Sequence, residues 1–147
     1  MGESNAAREE LLEKIKGVAT DVYTALGSGH HETVYEKAMM VGLRLEHLPY
    51  ETQRKIPVNY RDHFVGELIP DLIIGKSPFR VIVELKADDK KSLALARQQL
   101  KTYMEALEID CGLLINFFKL RDNGKAAPLV EEFVRGADGK ATAAASD

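Results

Sequence analysis

At 147 residues the chain has room for one domain whose core buries about two thirds of the unfolded surface, but not for a separate substrate domain. Its composition, 45% hydrophobic and 29% charged, is ordinary for a globular protein; no apolar run approaches the roughly 20 residues of a membrane span, residues 1–8 lack a signal-peptide core, and the cytoplasm is the default location. A net charge of −3 argues against indiscriminate adhesion to nucleic acid, and the single cysteine, Cys111, excludes an intramolecular disulfide and a cysteine-rich zinc site.

In chain order, Leu11, Leu12, Ile15, Val18, Ala19, Val22 and Leu26 repeat at helical spacing and predict an amphipathic helix from Asn5 to Leu26. Gly27-Ser28-Gly29 reads as a tight reversal; without the Lys-Ser/Thr ending of a P-loop it implies no nucleotide site. A second helix is expected from His30 to His47 along Val34, Ala38, Val41 and Leu45, with Glu32 in its first turn, where the helix dipole favours an acid whether or not it has a chemical role. His30 and His31 diverge around that helix and are too few for a metal site, so solvent exposure is expected.

Leu48 to Glu51 reads as a loop. A three-strand meander should follow: Gln53 to Tyr60, Phe64 to Ile74 after the turn Arg61-Asp62-His63, and Phe79 to Ala87 after the turn Gly75-Lys76-Ser77-Pro78. Asp88-Asp89-Lys90-Lys91 is a charged connection to a helix marked by Leu93, Ala96, Leu100, Tyr103, Met104 and Leu107. Gly112 to Phe118 is nearly all apolar, as a buried central strand reached by a crossover helix should be, and Cys111 before it reads as a small buried hydrophobe. Asp122-Asn123-Gly124 suggests a turn, Leu129 to Val134 a short last strand, and residues 136–147 a disordered tail beyond a single domain spanning residues 1–135.

Three charges interrupt the second and third strands of this meander: Asp71, Glu84 and Lys86. With the turn centred between Lys76 and Ser77, Asp71 faces Ile82 and Glu84 becomes its diagonal neighbour on the same sheet face, with Lys86 alternating onto that face as well. Mg²⁺, a small cation that takes hard oxygen ligands, could be reached by both carboxylates. A solvent-facing ion pair on a half-buried sheet is the plain alternative, and such pairs contribute little. The charge distribution favours the first reading: Arg54 to Lys101 holds ten Lys and Arg against six Asp and Glu, whereas the remainder holds ten against seventeen.

Pro70-Asp71 followed by Glu84-Leu85-Lys86 resembles the signature of the PD-(D/E)XK nuclease superfamily. Gly27-Ser28-Gly29-His30-His31-Glu32-Thr33-Val34-Tyr35 resembles the defining motif of the GxxExxY proteins, a bacterial family placed within it. Ile56 to Tyr60, Gln99-x-x-x-Tyr103 and Gly112 to Phe117 extend the similarity over roughly Ile15 to Phe118. The resemblance implies an α/β, restriction-endonuclease-like αβββαβ core with a mixed central sheet flanked by helices. It further implies hydrolysis of nucleic-acid phosphodiesters, with DNA the favoured substrate. Asp71, Glu84 and Glu32 would be ligands to Mg²⁺, with Mn²⁺ as a substitute, and Lys86 would orient a water and stabilise charge. Gln99 would orient the site, while Tyr35 and Tyr103 would neighbour it. The rival readings are a non-catalytic nucleic-acid-binding or regulatory module that keeps the fold, and a homodimer built on an apolar patch of the first helix. No membrane partner is expected.

Overall fold

A computed structural model describes residues 2–89, 93–118 and 127–144 of the chain. The turn expected at Asp122-Asn123-Gly124, and Lys90 and Lys91 of the charged connection, lie outside the described residues. Two helices lead, α1 (Gly2–Leu26) and α2 (Glu32–Leu45); then come β1 (Tyr50–Thr52), β2 (Ile56–Tyr60), β3 (His63–Leu68), β4 (Leu72–Lys76) and β5 (Phe79–Lys86). Helix α3 (Leu93–Leu107) precedes β6 (Cys111–Asn116), β7 (Leu129–Arg135) and β8 (Ala141–Ala143).

Six strands form one mixed sheet in the order β1-β4-β5-β6-β7-β8. Strand β5 runs parallel to β6, and the remaining pairs are antiparallel. The expected αβββαβ core is present, with a different first strand. Tyr50–Thr52, which overlaps the loop expected from Leu48 to Glu51, is the edge strand against β4, whereas Ile56–Tyr60 pairs with β3 in a separate two-stranded hairpin. The long strand expected from Phe64 to Ile74 breaks at Pro70, which has no N–H for a ladder and here ends β3 before β4 begins. The expected disordered tail is in part a strand, since β8 pairs with β7.

Alternation along the strands sorts the core into two layers. Leu72, Ile74, Val81, Val83, Leu85, Leu113 and Ile115 pack with α1 and α2 on one side, and Ile73, Ile82, Leu114 and Phe133 pack with α3 on the other. Gly112 lets α3 approach closely: a Cβ there would lie 2.6 Å from the Met104 sulfur and 3.0 Å from Leu100 Cδ1. Helix α1 buries the stripe expected of it, from Leu12 to Val22. Helix α2 does not. Its buried residues are Tyr35, Met39 and Leu43, while Val34, Val41 and Leu45 of the expected stripe are exposed. The helix carries two apolar stripes, and the close α1–α2 crossing at Gly42, where a Cβ would meet Val18 Cγ1 at 2.5 Å, turns the Tyr35 stripe inward.

The β4–β5 turn is Ser77-Pro78, because Lys76 pairs with Phe79. The register is therefore two residues away from the one expected: Leu72 faces Val83, and continuing by one step sets Asp71 directly against Glu84 instead of diagonal to it. A shift of two preserves the parity of a strand, so the expected faces survive while the carboxylates come closer together, at the roughly 4.5 to 5.5 Å Cβ spacing of directly opposed residues.

Candidate active site

Asp71 and Glu84 continue the rows of Ile73 and Ile82 on the α3 side of the sheet, at the end where the β4–β5 ladder stops. Their side chains take over from the ladder. The Asp71 N–H donates to Glu84 Oε1 at 3.0 Å, and the Leu85 N–H donates to Asp71 Oδ2 at 2.8 Å. Each carboxylate is thus oriented by the backbone of the other strand and keeps a second oxygen. Glu84 is 5% exposed, and it and Asn116 are buried polar residues in an otherwise apolar core.

Lys86 lies two residues beyond Glu84, and its Nζ is 3.7 Å from Glu32 Oε1 in the first turn of α2. Tyr103 on α3 is buried, and its hydroxyl pKa is raised by burial and then by the charges of Glu84 and Asp71. Gln99 is half-buried on the same face of α3, one turn before Tyr103. Tyr35 does not support a carboxylate with its hydroxyl. That hydroxyl donates to the Gly27 carbonyl at 2.6 Å and accepts from the His30 N–H at 3.3 Å, and the ring stacks on Phe117 with centroids 4.4 Å apart. Gly27 and Gly29, at φ +70 and +100, make the reversal that this tyrosine ties down. Tyr35 therefore fixes the start of α2, and with it Glu32, from within the core. His30 and His31 are exposed, as expected.

Two residues were not singled out from the sequence. Glu36, one helical turn after Glu32, is close enough for its charge to raise the Asp71 pKa. The i, i+4 spacing of two acids on one helix face was the available signal. Asn116 ends the apolar β6 run opposite Lys86. Its Nδ2 donates to the Asp88 carbonyl at 3.0 Å and its Oδ1 accepts from the Phe118 N–H at 3.1 Å, which holds the segment following Lys86 in place.

Burial dominates the electrostatics of these acids. It is the largest cause pushing the Glu84 carboxyl up to about 8, with the Asp71 charge next. Burial likewise raises Asp71, opposed by the hydrogen bond from Leu85, and raises Glu32, opposed by Lys86. The unfolded chain ionises Glu84 near 4.5 and the native protein near 8, so between these values the native state keeps a proton that the unfolded state has lost. Without metal, the Glu84 contribution to stability should therefore fall as pH rises through that window. Urea unfolding in chelator across this range is expected to show the decline, and Glu84→Gln is expected to flatten it; identical pH slopes in the two proteins would remove Glu84 as the cause.

The donor set suits a hard divalent cation. Two adjacent carboxylates, costly to ionise together without a counter-charge, offer oxygen ligands of the kind that Mg²⁺ and Mn²⁺ take one or two at a time from proteins. Glu32 is paired with Lys86, and among the described residues no group of three or more His, Cys, Asp or Glu is arranged to hold a metal ion. Cys111 is buried, with its thiol pushed up to about 11 by that burial, as an inert core residue should be. Among the described residues no helix is long and apolar enough to cross a membrane.

No curated protein sequence matches the chain. Among solved structures it resembles the crystal structure of SSO0001, with a TM-score of 0.51 and 16% identity over 68% of this chain and 48% of that one. It also resembles Hjc from Archaeoglobus fulgidus, a Holliday junction resolvase, with a TM-score of 0.39 and 14% identity over 69% of this chain and 75% of that one. The chain thus spans about half the length of SSO0001, and at such identity that likeness speaks to the fold alone. A family model, that of the PD-(D/E)XK nuclease superfamily, matches residues 9–126. With that match over most of the chain, and a mixed central sheet flanked by helices, the protein has a restriction-endonuclease-like fold and belongs to the PD-(D/E)XK nuclease superfamily.

Proposed function

We propose that the protein is a Mg²⁺-dependent nuclease of the GxxExxY group that hydrolyses phosphodiester bonds in DNA, acting as a single domain in the cytoplasm. The observation that carries this reading is the reciprocal pair of hydrogen bonds locking Asp71 and Glu84 face to face, with Lys86 beside them. Nucleases of this superfamily generally use divalent metals and act on nucleic acid. Asp71 and Glu84 would hold the ion, which when bound supplies Lewis-acid stabilisation of charge on the phosphoryl oxygens.

The chain's own groups do the rest. The Leu85 and Asp71 N–H groups orient the two carboxylates before any ligand arrives. The Lys86 ammonium, 23% exposed and paired with Glu32, would orient the attacking water and stabilise negative charge building on the phosphate. Tyr103 lies near the two carboxylates on α3, and the amide of Gln99, one turn earlier on the same helix face, would donate to a phosphate oxygen. Glu36 adds a negative charge that strengthens the demand for a cation.

The test is cleavage of labelled single-stranded, duplex and branched DNA, and of RNA, by the purified chain with Mg²⁺, Mn²⁺ or chelator. Cleavage of DNA that needs the metal is expected. Binding without turnover under every condition would select instead the non-catalytic module.

A further inference from the structure

Outside the acidic site, the β2–β3 hairpin is the element that packing explains least. Leu68 at its base joins the core, but Tyr60, Phe64 and Val65 near its tip are 61%, 62% and 60% exposed. A large aromatic ring left in water gains nothing for the fold. Both ends of the hairpin attach beside the site: it leaves after Thr52, which pairs with Leu72, and returns through Ile69 and Pro70 to Asp71.

The tip is preorganised. Arg61 and Asp62, at φ 46 and 65, form a two-residue turn with both central residues left-handed, whose twist matches that of the flanking strands. Tyr60 pairs with His63, and Phe64 pairs with Asn59. Consecutive positions alternate between faces, so the tip carries one aromatic ring on each face of the ribbon. The Arg61 guanidinium lies over the Tyr60 ring at 5.4 Å, and at the base Lys55 stands exposed beside Arg54, which is paired with Glu51 at 3.2 Å. At about 3.3 Å per residue, Tyr60 reaches about 13 Å beyond Ile56, or about four nucleotides of stacked strand at 3.4 Å each.

We propose that this hairpin is a wedge that stacks on unpaired or unstacked bases a few nucleotides from the cleaved bond, so that the preferred substrate is nucleic acid with a single-stranded or branched portion. The proposal rests on the nuclease reading above and adds the substrate class. Rings on both faces suit insertion between bases, arginine beside an aromatic ring suits stacking on a nucleobase, and the exposed Lys55 at the base suits a flanking phosphate. Continuity with the site makes the occupant the same strand that enters it.

Fluorescence anisotropy of the full chain with Ca²⁺, on a forked DNA and a blunt duplex of the same sequence, tests this directly. The fork should bind at least about tenfold more tightly, and Tyr60→Ala with Phe64→Ala should remove that preference, at about 5- to 150-fold per lost stacking contact. The salt dependence should not change, because no charge is removed. Tyr60→Phe with Phe64→Trp should restore the preference, which a merely structural role would not predict, and thermal melting should be unaltered at these exposed positions. Equal binding of fork and duplex by the wild type, or a fork preference that survives the alanine variant, would overturn the wedge while metal-dependent cleavage upheld the nuclease. A dimer that the alanine variant converts to monomer, with DNA affinity unchanged, would assign the patch to a second copy and likewise overturn it. Failure to bind or cleave any nucleic acid would overturn both readings.

Discussion

Asp71→Asn should fold normally and lose cleavage by about a thousandfold or more, the scale on which members of a catalytic unit fail when removed. The amide keeps an oxygen that can accept from the Leu85 N–H, so the bond that closes the end of the β4–β5 ladder survives, while the charge that would hold a cation is lost. Asp71→Ala should do the same to activity and cost an additional 1 to 3 kcal/mol, roughly, because it leaves the Leu85 N–H without its acceptor. Removing the Asp71 charge also removes the second-largest cause raising Glu84, so the Glu84 carboxyl should titrate lower in both variants. Cleavage assays, Mn²⁺ calorimetry and NMR titration of the Glu84 carboxyl check the three consequences separately. An Asp71→Asn protein that still binds Mn²⁺ and cleaves like wild type would remove the carboxylate pair from the mechanism.

The pair was legible in the sequence because what matters for it is parity. Gly75-Lys76-Ser77-Pro78 announced a turn without fixing its centre, and the true centre, Ser77-Pro78, moves the register by two, which changes partners but not faces. What escaped was set by contacts distant in sequence. Three residues, Tyr50–Thr52, carry too little periodicity to declare a strand; they become one because β4 offers them a partner. The hairpin sequence has ordinary strand character, and nothing in its alternation says that it leaves the main sheet. In α2, two apolar stripes competed, and the fit of Gly42 against Val18 decided between them. Tyr35 and Glu32 sit in one motif for linked reasons: the tyrosine anchors the loop from the core, and the glutamate, held at the start of the helix, meets Lys86.

That contact gives Lys86 a role separable from metal assembly. An ammonium is no metal ligand, and its charge lowers the pKa of Asp71, Glu84 and Glu32 alike. Lys86→Ala should therefore raise those carboxyl pKa values while removing a positive charge that repels an incoming cation. Once pH exceeds the variant's Glu84 pKa, which lies above the wild-type value of about 8, Mn²⁺ binding should persist undiminished. Cleavage, by contrast, should fall by roughly a hundredfold or more, as when a positioned electrostatic stabiliser of the transition state is lost. Glu32→Gln should lower activity less, because it loosens Lys86 without removing it. Calorimetry with Mn²⁺ beside cleavage rates, both measured from pH 6 to 9, separates the effects: a Lys86→Ala protein that cleaves at the wild-type rate has no need of the ammonium, and one that loses Mn²⁺ binding at high pH makes Lys86 a part of metal assembly after all.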